Sequence, residues 1–166
     1  SWTPVDHAPM PPNVAKWFVN DNVTAIAMSK FGKAMFDGAG IDCRYAPHAF
    51  EPVFTPTPTL SIDGNDRDPR ELLGIGHDRF VVMMNSANKG VAPNRKAFGE
   101  NLLAFSIFAQ KHSDALLYLH TDKHGSMGGI DLEKLVKACG IPDSQVAYVD
   151  QFAYRNQISA NILAGF

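Results

Sequence analysis

Two adjacent cations, Arg95 and Lys96, follow a short polar loop that begins directly after an apolar run at residues 80–84. The loop, NSANKG, offers amide and hydroxyl groups and a glycine, and an apolar pattern with helical spacing follows it. The apolar run predicts a buried strand. A buried strand, a glycine-containing loop and a positively charged helix start are typical of an anion site, because backbone N–H groups and the helix dipole face the ligand. We predict a phosphate site, most simply for a nucleotide diphosphate. Its predicted ligands are Asn85, Ser86, Asn88, Arg95 and Lys96.

A second group of polar residues, in the stretch HTDKH, contains His120, Asp122 and His124. Nitrogen and oxygen ligands of this kind can bind zinc, but the spacing fits no helical ligand pair and no further ligand set is evident. We therefore predict no metal, and we expect loop residues that line the mouth of a cleft, with His120 as a candidate contact. A metal-dependent hydrolase built on these three residues is a rival hypothesis.

Composition limits the class of protein. The chain has 166 residues, of which 45% are hydrophobic and 19% charged, as in folded globular proteins. A formal net charge of −2 argues against a nucleic-acid partner. No apolar run approaches the roughly 18 residues of a membrane span, so we predict no transmembrane segment. Cys43 and Cys139 form no disulfide framework, which favours reduced thiols and a cytoplasmic protein.

The elements that must position these residues alternate along the chain. Residues 23–28 have strand composition, Ser29 is a candidate cap for a helix at 30–38, and 43–46 form another strand, which together predict a parallel βαβ unit. Residues 1–12 and 51–70 are rich in proline and are predicted as loop and linker, with a short helix starting at Asp68-Pro69. The second half predicts an α/β fold with a Rossmann-like parallel sheet and helices on both faces. Its predicted strands are 80–84, 115–120 and 146–149, and its helices 96–112, 132–139 and 154–166.

Four stretches, in this order, resemble the retaining nucleotide-sugar glycosyltransferases of group 1, whose GT-B architecture has two facing Rossmann-like domains. They are WTPVDHAPMPP, IAMSKFGKAMFDGAG with YAPHAFEPVFTP, VVMMNSANKGVAPNRKAF, and LLYLHTD with VAYVDQF. The resemblance implies a partial GT-B fold with two incomplete domains. Residues 1–57 would be the end of the acceptor-side domain and the crossover, and residues 58–166 the first half of the donor domain.

The resemblance also implies the chemistry. A glycosyl unit would pass from a nucleotide diphosphate sugar to an acceptor hydroxyl with retention of configuration, without a cofactor or an obligatory metal. The family's pyrophosphate-binding lysine at the helix start matches Lys96, whereas its basic residue at the strand end is replaced here by Asn85-Ser86.

Aromatic and histidine residues elsewhere match other parts of the family's cleft. Phe152 and Tyr154 fall where relatives seat the nucleobase, although core packing is the favoured interpretation of Phe152. His7 would lie near the cleft, although a turn residue is the default interpretation.

The family's donor-sugar glutamates and early acceptor-domain strands would fall outside these residues. We therefore expect a piece of a longer transferase, inactive alone, whose sugar, base and acceptor the sequence does not identify. The alternative is a non-catalytic nucleotide- or phosphate-binding module that a partner completes. Apolar residues near the C-terminus favour self-association through the last helix. They are Ile162, Leu163 and Phe166.

Overall fold

The computed structural model describes residues 1–20, 22–52, 54–55, 60–62, 65–90, 94–152 and 163. It is a mixed α/β protein, as predicted, and its chain divides into two compact units, Ser1–Glu51 and Pro52–Phe166. The division falls six residues before the boundary predicted at 57, and the assignment of the units to acceptor and donor domains stays a prediction. None of the described helices is both long and apolar enough to cross a membrane.

The first unit contains a small parallel sheet in which the second strand lies between the other two. Its elements are β1 (Trp2–Thr3), α1 (Pro12–Trp17), β2 (Ala25–Ala27), α2 (Lys30–Gly38) and β3 (Cys43–Tyr45). The predicted βαβ unit is confirmed, and the Ser29 hydroxyl caps α2 by accepting a hydrogen bond from the Gly32 N–H at 2.9 Å. The predicted loop at 1–12 is wrong for Trp2 and Thr3, because parallel pairing with β2 draws them into the sheet.

The core of this unit lies between the sheet and α2. Phe18 meets Phe36 edge-on, with ring centroids 5.0 Å apart, and both side chains are buried. Two other aromatic residues of these helices, Trp17 and Phe31, are 52% and 46% exposed and lie outside this core.

The second unit begins with a β-hairpin that the sequence analysis missed. Strands β4 (Leu60–Ile62) and β5 (Asn65–Arg67) pair antiparallel within the predicted linker. The sequence has Asp-Gly between these strands, a common hairpin signal that outweighs the neighbouring prolines. The short helix α3 (Pro69–Leu72) starts as predicted, with the Asp68 carboxylate accepting from the Arg70 N–H at 2.7 Å.

A three-stranded parallel sheet forms the rest of this unit, in the order β6-β7-β8. Its strands are β6 (Phe80–Asn85), β7 (Ala115–His120) and β8 (Val146–Tyr148), and its helices α4 (Phe98–Ala109) and α5 (Leu132–Ala138). The strand, helix, strand, helix, strand alternation is confirmed, and Asp131 caps α5 through the Lys134 N–H at 3.1 Å. The α/β class is therefore shown.

Both helices pack on one face of the sheet. Phe98, Leu102 and Phe105 of α4 meet Leu132 and Val136 of α5 over the middle strand. The opposite face is covered by Leu73 and Ile75, which follow α3, and by Leu163. The predicted last helix, 154–166, lies outside the described residues apart from Leu163, which is helical.

The two long strands differ in burial. All residues of β7 are buried, as expected for an inner strand. The same was expected of β6, and this is wrong: none of its residues is fully buried, and Phe80 is 56% exposed. The reason is topological, because within the described residues β6 pairs with a strand on one side only.

Candidate functional site

The carboxyl ends of the parallel strands bring the predicted polar residues to one edge of the sheet. Asn85 ends β6 and His120 ends β7, and the two are register partners. Ligands of open α/β sheets bind outside this edge, where the loops after the strands meet the starts of the helices. The candidate site is therefore built from the loop after β6, the turn before α4 and the loop after β7.

A groove of about 610 Å³ runs between β6 and α4. This volume is within the usual range for small-molecule sites. Its polar end contains the last residue of β6, the residue that follows it, a lysine that precedes α4 and an amide in the first turn of α4. They are Asn85, Ser86, Lys96 and Asn101. Its apolar body is lined by Phe80, Val82, Met84, Leu102, Phe105 and Phe108.

The backbone of Lys96 is held by hydrogen bonds with two asparagine side chains, one on each side of it in the sequence. The Asn94 side chain donates to the Gly90 carbonyl at 2.8 Å and accepts from the Lys96 N–H at 3.1 Å. The Asn101 amide donates to the carbonyls of Lys96 at 3.2 Å and of Ala97 at 2.9 Å. The half-buried Lys96 therefore starts from a fixed backbone position.

The start of α4 differs from the prediction in a way that matters for an anion. The helix begins at Phe98 and not at 96, so Lys96 flanks the first turn and does not belong to it. Ala97 at the cap position has φ 50°, a left-handed conformation that is strained for a residue with a Cβ. Among the described residues no side chain caps this turn, so its N–H groups have no side-chain acceptor there.

Arg95 and Asn88 do not join Lys96 in the groove. Arg95 is exposed and is not among the groove-lining residues. Asn88 is buried, and its amide donates to the carbonyls of Asp122 at 2.8 Å and Ile130 at 2.7 Å. Both N–H groups of that amide are thus engaged, which leaves no side-chain donor for a phosphate. The structure gives Asn88 a structural role, and we drop it from the anion ligands.

His120 lies inside the protein and not at the mouth of the groove. It is 5% exposed, and its Nδ1 lies 3.5 Å from the Tyr118 hydroxyl. Burial lowers the pKa of His120 below its ordinary value, because the interior disfavours the charged imidazolium. Burial also raises the pKa of Tyr118 to about 12. The side chains of Tyr118 and His120 are therefore uncharged at pH 7.

The Asp122 carboxylate stabilises the loop after β7. Asp122 accepts hydrogen bonds from the N–H groups of His124 at 3.1 Å and Ser126 at 2.6 Å. Within the described part of the chain, no three His, Cys, Asp or Glu residues are grouped as a metal site would require. The geometry of Asp122 is that of a turn, in which the side chain stabilises the backbone.

Neither Phe152 nor His7 is among the residues that line the groove. Phe152 is 77% exposed, so the expectation that it packs in the core is wrong. Tyr154 lies outside the described residues. His7, in the first unit, is exposed and contacts Asp6 at 2.5 Å.

Sequence reasoning missed Asn101, Gln151 and Gly129. Gln151 joins the loops after β7 and β8, because its amide donates to the Thr121 and Val149 carbonyls and its oxygen accepts from the Lys123 N–H. The available signal for Asn101 was an amide in the first turn of a mostly apolar helix. No protein-family model matches the chain, and no curated protein matches it in sequence.

Proposed function

We propose that this chain supplies the diphosphate-binding strand, loop and helix of a glycosyltransferase that uses nucleotide diphosphate sugars. The observation that carries the proposal is the position of Lys96, which lines the groove together with Asn85 and Ser86 at the carboxyl end of β6. A cation, an amide and a hydroxyl thus converge beside the uncapped first turn of α4. Each of these groups can donate to a phosphate oxygen.

The proposed chemistry is electrostatic. When the bond between the sugar and the diphosphate breaks, negative charge develops on the leaving phosphate oxygens. The ammonium of Lys96 and the backbone N–H groups at the start of α4 would stabilise that charge. Because these groups are in place before the bond breaks, no reorganisation is needed. Exposed Arg95 would contribute at longer range, which water weakens.

The rest of the donor has room in the same groove and along the sheet edge. The apolar body of the groove, between β6 and α4, suits a ring that makes few hydrogen bonds. Exposed Phe152 offers a ring on which a nucleobase could stack, as the family resemblance implies. The partial GT-B architecture and the cytoplasmic location belong to the same proposal.

A second candidate function is a non-catalytic phosphate-binding module that a partner completes. The observation in its favour is exposed apolar surface on β6 and α4, where Phe80, Leu103 and Ile107 are each more than half exposed. The two candidates differ in turnover. A transferase releases nucleotide diphosphate from its donor, whereas a binding module does not.

Calorimetric titration of UDP, GDP and ADP into the chain tests the proposal. We expect one diphosphate to bind, and we expect Lys96→Ala to weaken it by roughly 10- to 100-fold, as the loss of a charged hydrogen bond implies. Lys111→Ala is the matched control, because this exposed lysine follows the other end of α4. Affinity that is the same in Lys96→Ala and Lys111→Ala would remove Lys96 from the site and with it the proposal.

A further inference from the structure

The loop after β6 is attached to the loop after β7 by one buried side chain. Asn88 is 3% exposed, and besides its two donated hydrogen bonds its oxygen accepts from the Ile130 N–H at 2.9 Å. A buried amide with three hydrogen bonds to backbone groups resists displacement, because any displacement leaves buried polar groups unsatisfied. The two loops therefore form one rigid rim at the carboxyl edge of the sheet.

The partner loop is shaped to receive this amide. A Cβ on Gly129 would lie 2.3 Å from the Asn88 backbone oxygen and 2.4 Å from its side-chain oxygen, so no larger residue fits without movement. The Gly90 N–H also donates to the Gly128 carbonyl at 3.0 Å. We call this set of contacts, formed by Asn88, Gly90, Gly128, Gly129 and Ile130, the loop latch.

The latch is connected to Lys96 by a short series of bonds. The Gly90 N–H donates to Gly128 within the latch, and the Gly90 carbonyl accepts a hydrogen bond from the Asn94 amide. Asn94 in turn accepts from the Lys96 N–H. The backbone position of Lys96 thus depends on Asn88, Gly90 and Asn94, none of which lines the groove itself.

We propose that Asn88 is a positioning residue for diphosphate binding, acting through Gly90 and Asn94 on Lys96. The inference rests on the proposed function, since it assigns Asn88 to the machinery of that site. Asn88 does not touch the ligand. It holds the loop after β6 so that Lys96 faces the phosphate without reorganisation.

Two substitutions perturb the latch from opposite sides. Asn88→Asp keeps an acceptor for the Ile130 N–H but loses both donated bonds and places carboxylate oxygens against two carbonyls. Gly129→Ala leaves Asn88 intact and displaces it by steric contact. Each is expected to raise the dissociation constant for UDP, or for whichever diphosphate the wild type binds, by about tenfold or more. Lys123→Ala, which removes the 2.7 Å contact between Lys123 in the second loop and Glu133 in α5, is the control and should bind like wild type.

The coupling to Lys96 separates positioning from general support of the fold. In a Lys96→Ala background, Asn88→Asp should have little further effect on affinity, because the group that Asn88 positions is gone. Circular dichroism checks that each variant is folded. If the latch variants unfold, Asn94→Ala provides the test. The Asn94 side chain is half-exposed, so its loss removes only the hydrogen bonds between Gly90, Asn94 and Lys96 and should weaken binding in the same way.

The outcomes distinguish the inference from the proposed function. Weaker binding in the latch variants that disappears in the Lys96→Ala background supports both. Unchanged binding in folded Asn88→Asp, with loss in Lys96→Ala, overturns the latch alone. An equal loss with and without Lys96 overturns the positioning role, and a wild type that binds no diphosphate overturns both.

Discussion

Strands β6 and β7 are six-residue neighbours in full register, from Phe80 opposite Ala115 to Asn85 opposite His120, and yet their environments are opposite. Every residue of β7 is buried and no residue of β6 is. The middle strand has hydrogen-bonded neighbours on two sides and packing on both faces. In the described structure, β6 has one neighbouring strand and one open groove.

The comparison teaches that apolar composition selects a strand but does not decide its burial. Burial follows from the position of a strand in the sheet. The same position decides whether the residue at the end of the strand is exposed to a ligand. His120 at the end of the middle strand is enclosed and neutral, whereas Asn85 at the end of β6 is exposed and lines the groove. The middle strand, β7, thus contributes stability, and β6 contributes residues to the candidate site.

The largest difference should appear in stability. Leu119→Ala removes a fully buried side chain from the middle strand and should lower the free energy of unfolding by about 2–5 kcal/mol. Met83→Ala, on the edge strand where the side chain is 39% exposed, should cost less than about 1 kcal/mol. Urea denaturation followed by circular dichroism measures both. Equal losses would mean that the groove side of β6 is covered in solution.

The next difference concerns pH. Because burial lowers the pKa of His120 in the folded state, the unfolded chain takes up the proton first as the pH falls. The folded state is therefore fully stable with respect to this group above pH about 6.5, and it loses stability as the pH falls from there towards the lowered pKa. Denaturation midpoints measured at several pH values should show this slope, and His120→Gln should reduce it.

Asn85→His supplies the matched control, because it places a histidine on the same rung of the exposed strand. An exposed imidazole keeps a similar pKa in both states, so this variant should add no comparable loss of stability in acid. A slope that is unchanged in His120→Gln would contradict the effect of burial.

Local signals account for the parts of the fold that the sequence predicted. The middle strand was placed at 115–120, and the cap Ser29 and the helix start at Asp68-Pro69 were identified, because each depends on a few consecutive residues. Lys96 was found in the same way, from its place between a polar loop and an apolar helical pattern. Its presence in the groove is what the structure adds.

Features that depend on distant parts of the chain were not predictable. Asn88 resembles an anion-loop residue until Gly129 and Ile130 are placed beside it, more than thirty residues later in the sequence. The exposure of β6 depends on which strands neighbour it, and the left-handed Ala97 has no glycine to signal it. Phe152 was expected to pack because it is aromatic, whereas its position after the last strand leaves it exposed.

The smallest effect is expected on the outer face of α4. Leu103 is 54% exposed, so Leu103→Glu should change the free energy of unfolding by no more than about 0.5 kcal/mol. It should also reduce binding of a fluorescent apolar dye, because it interrupts apolar surface shared with Ile107. The adjacent Leu102 is fully buried, and Leu102→Glu should prevent folding. A large loss of stability in Leu103→Glu would show that this face is packed in solution.

The parallel register of the sheet also sets the order in which it can assemble. Phe80 pairs with Ala115, and Leu117 with Val146, so neither strand pair can form as a hairpin. Each pairing requires closure of a long loop that contains a whole helix, and this entropy cost slows folding relative to proteins with local contacts. We expect β6, α4 and β7 to form together as one nucleus, so that the groove arises in the same step as the core beneath it.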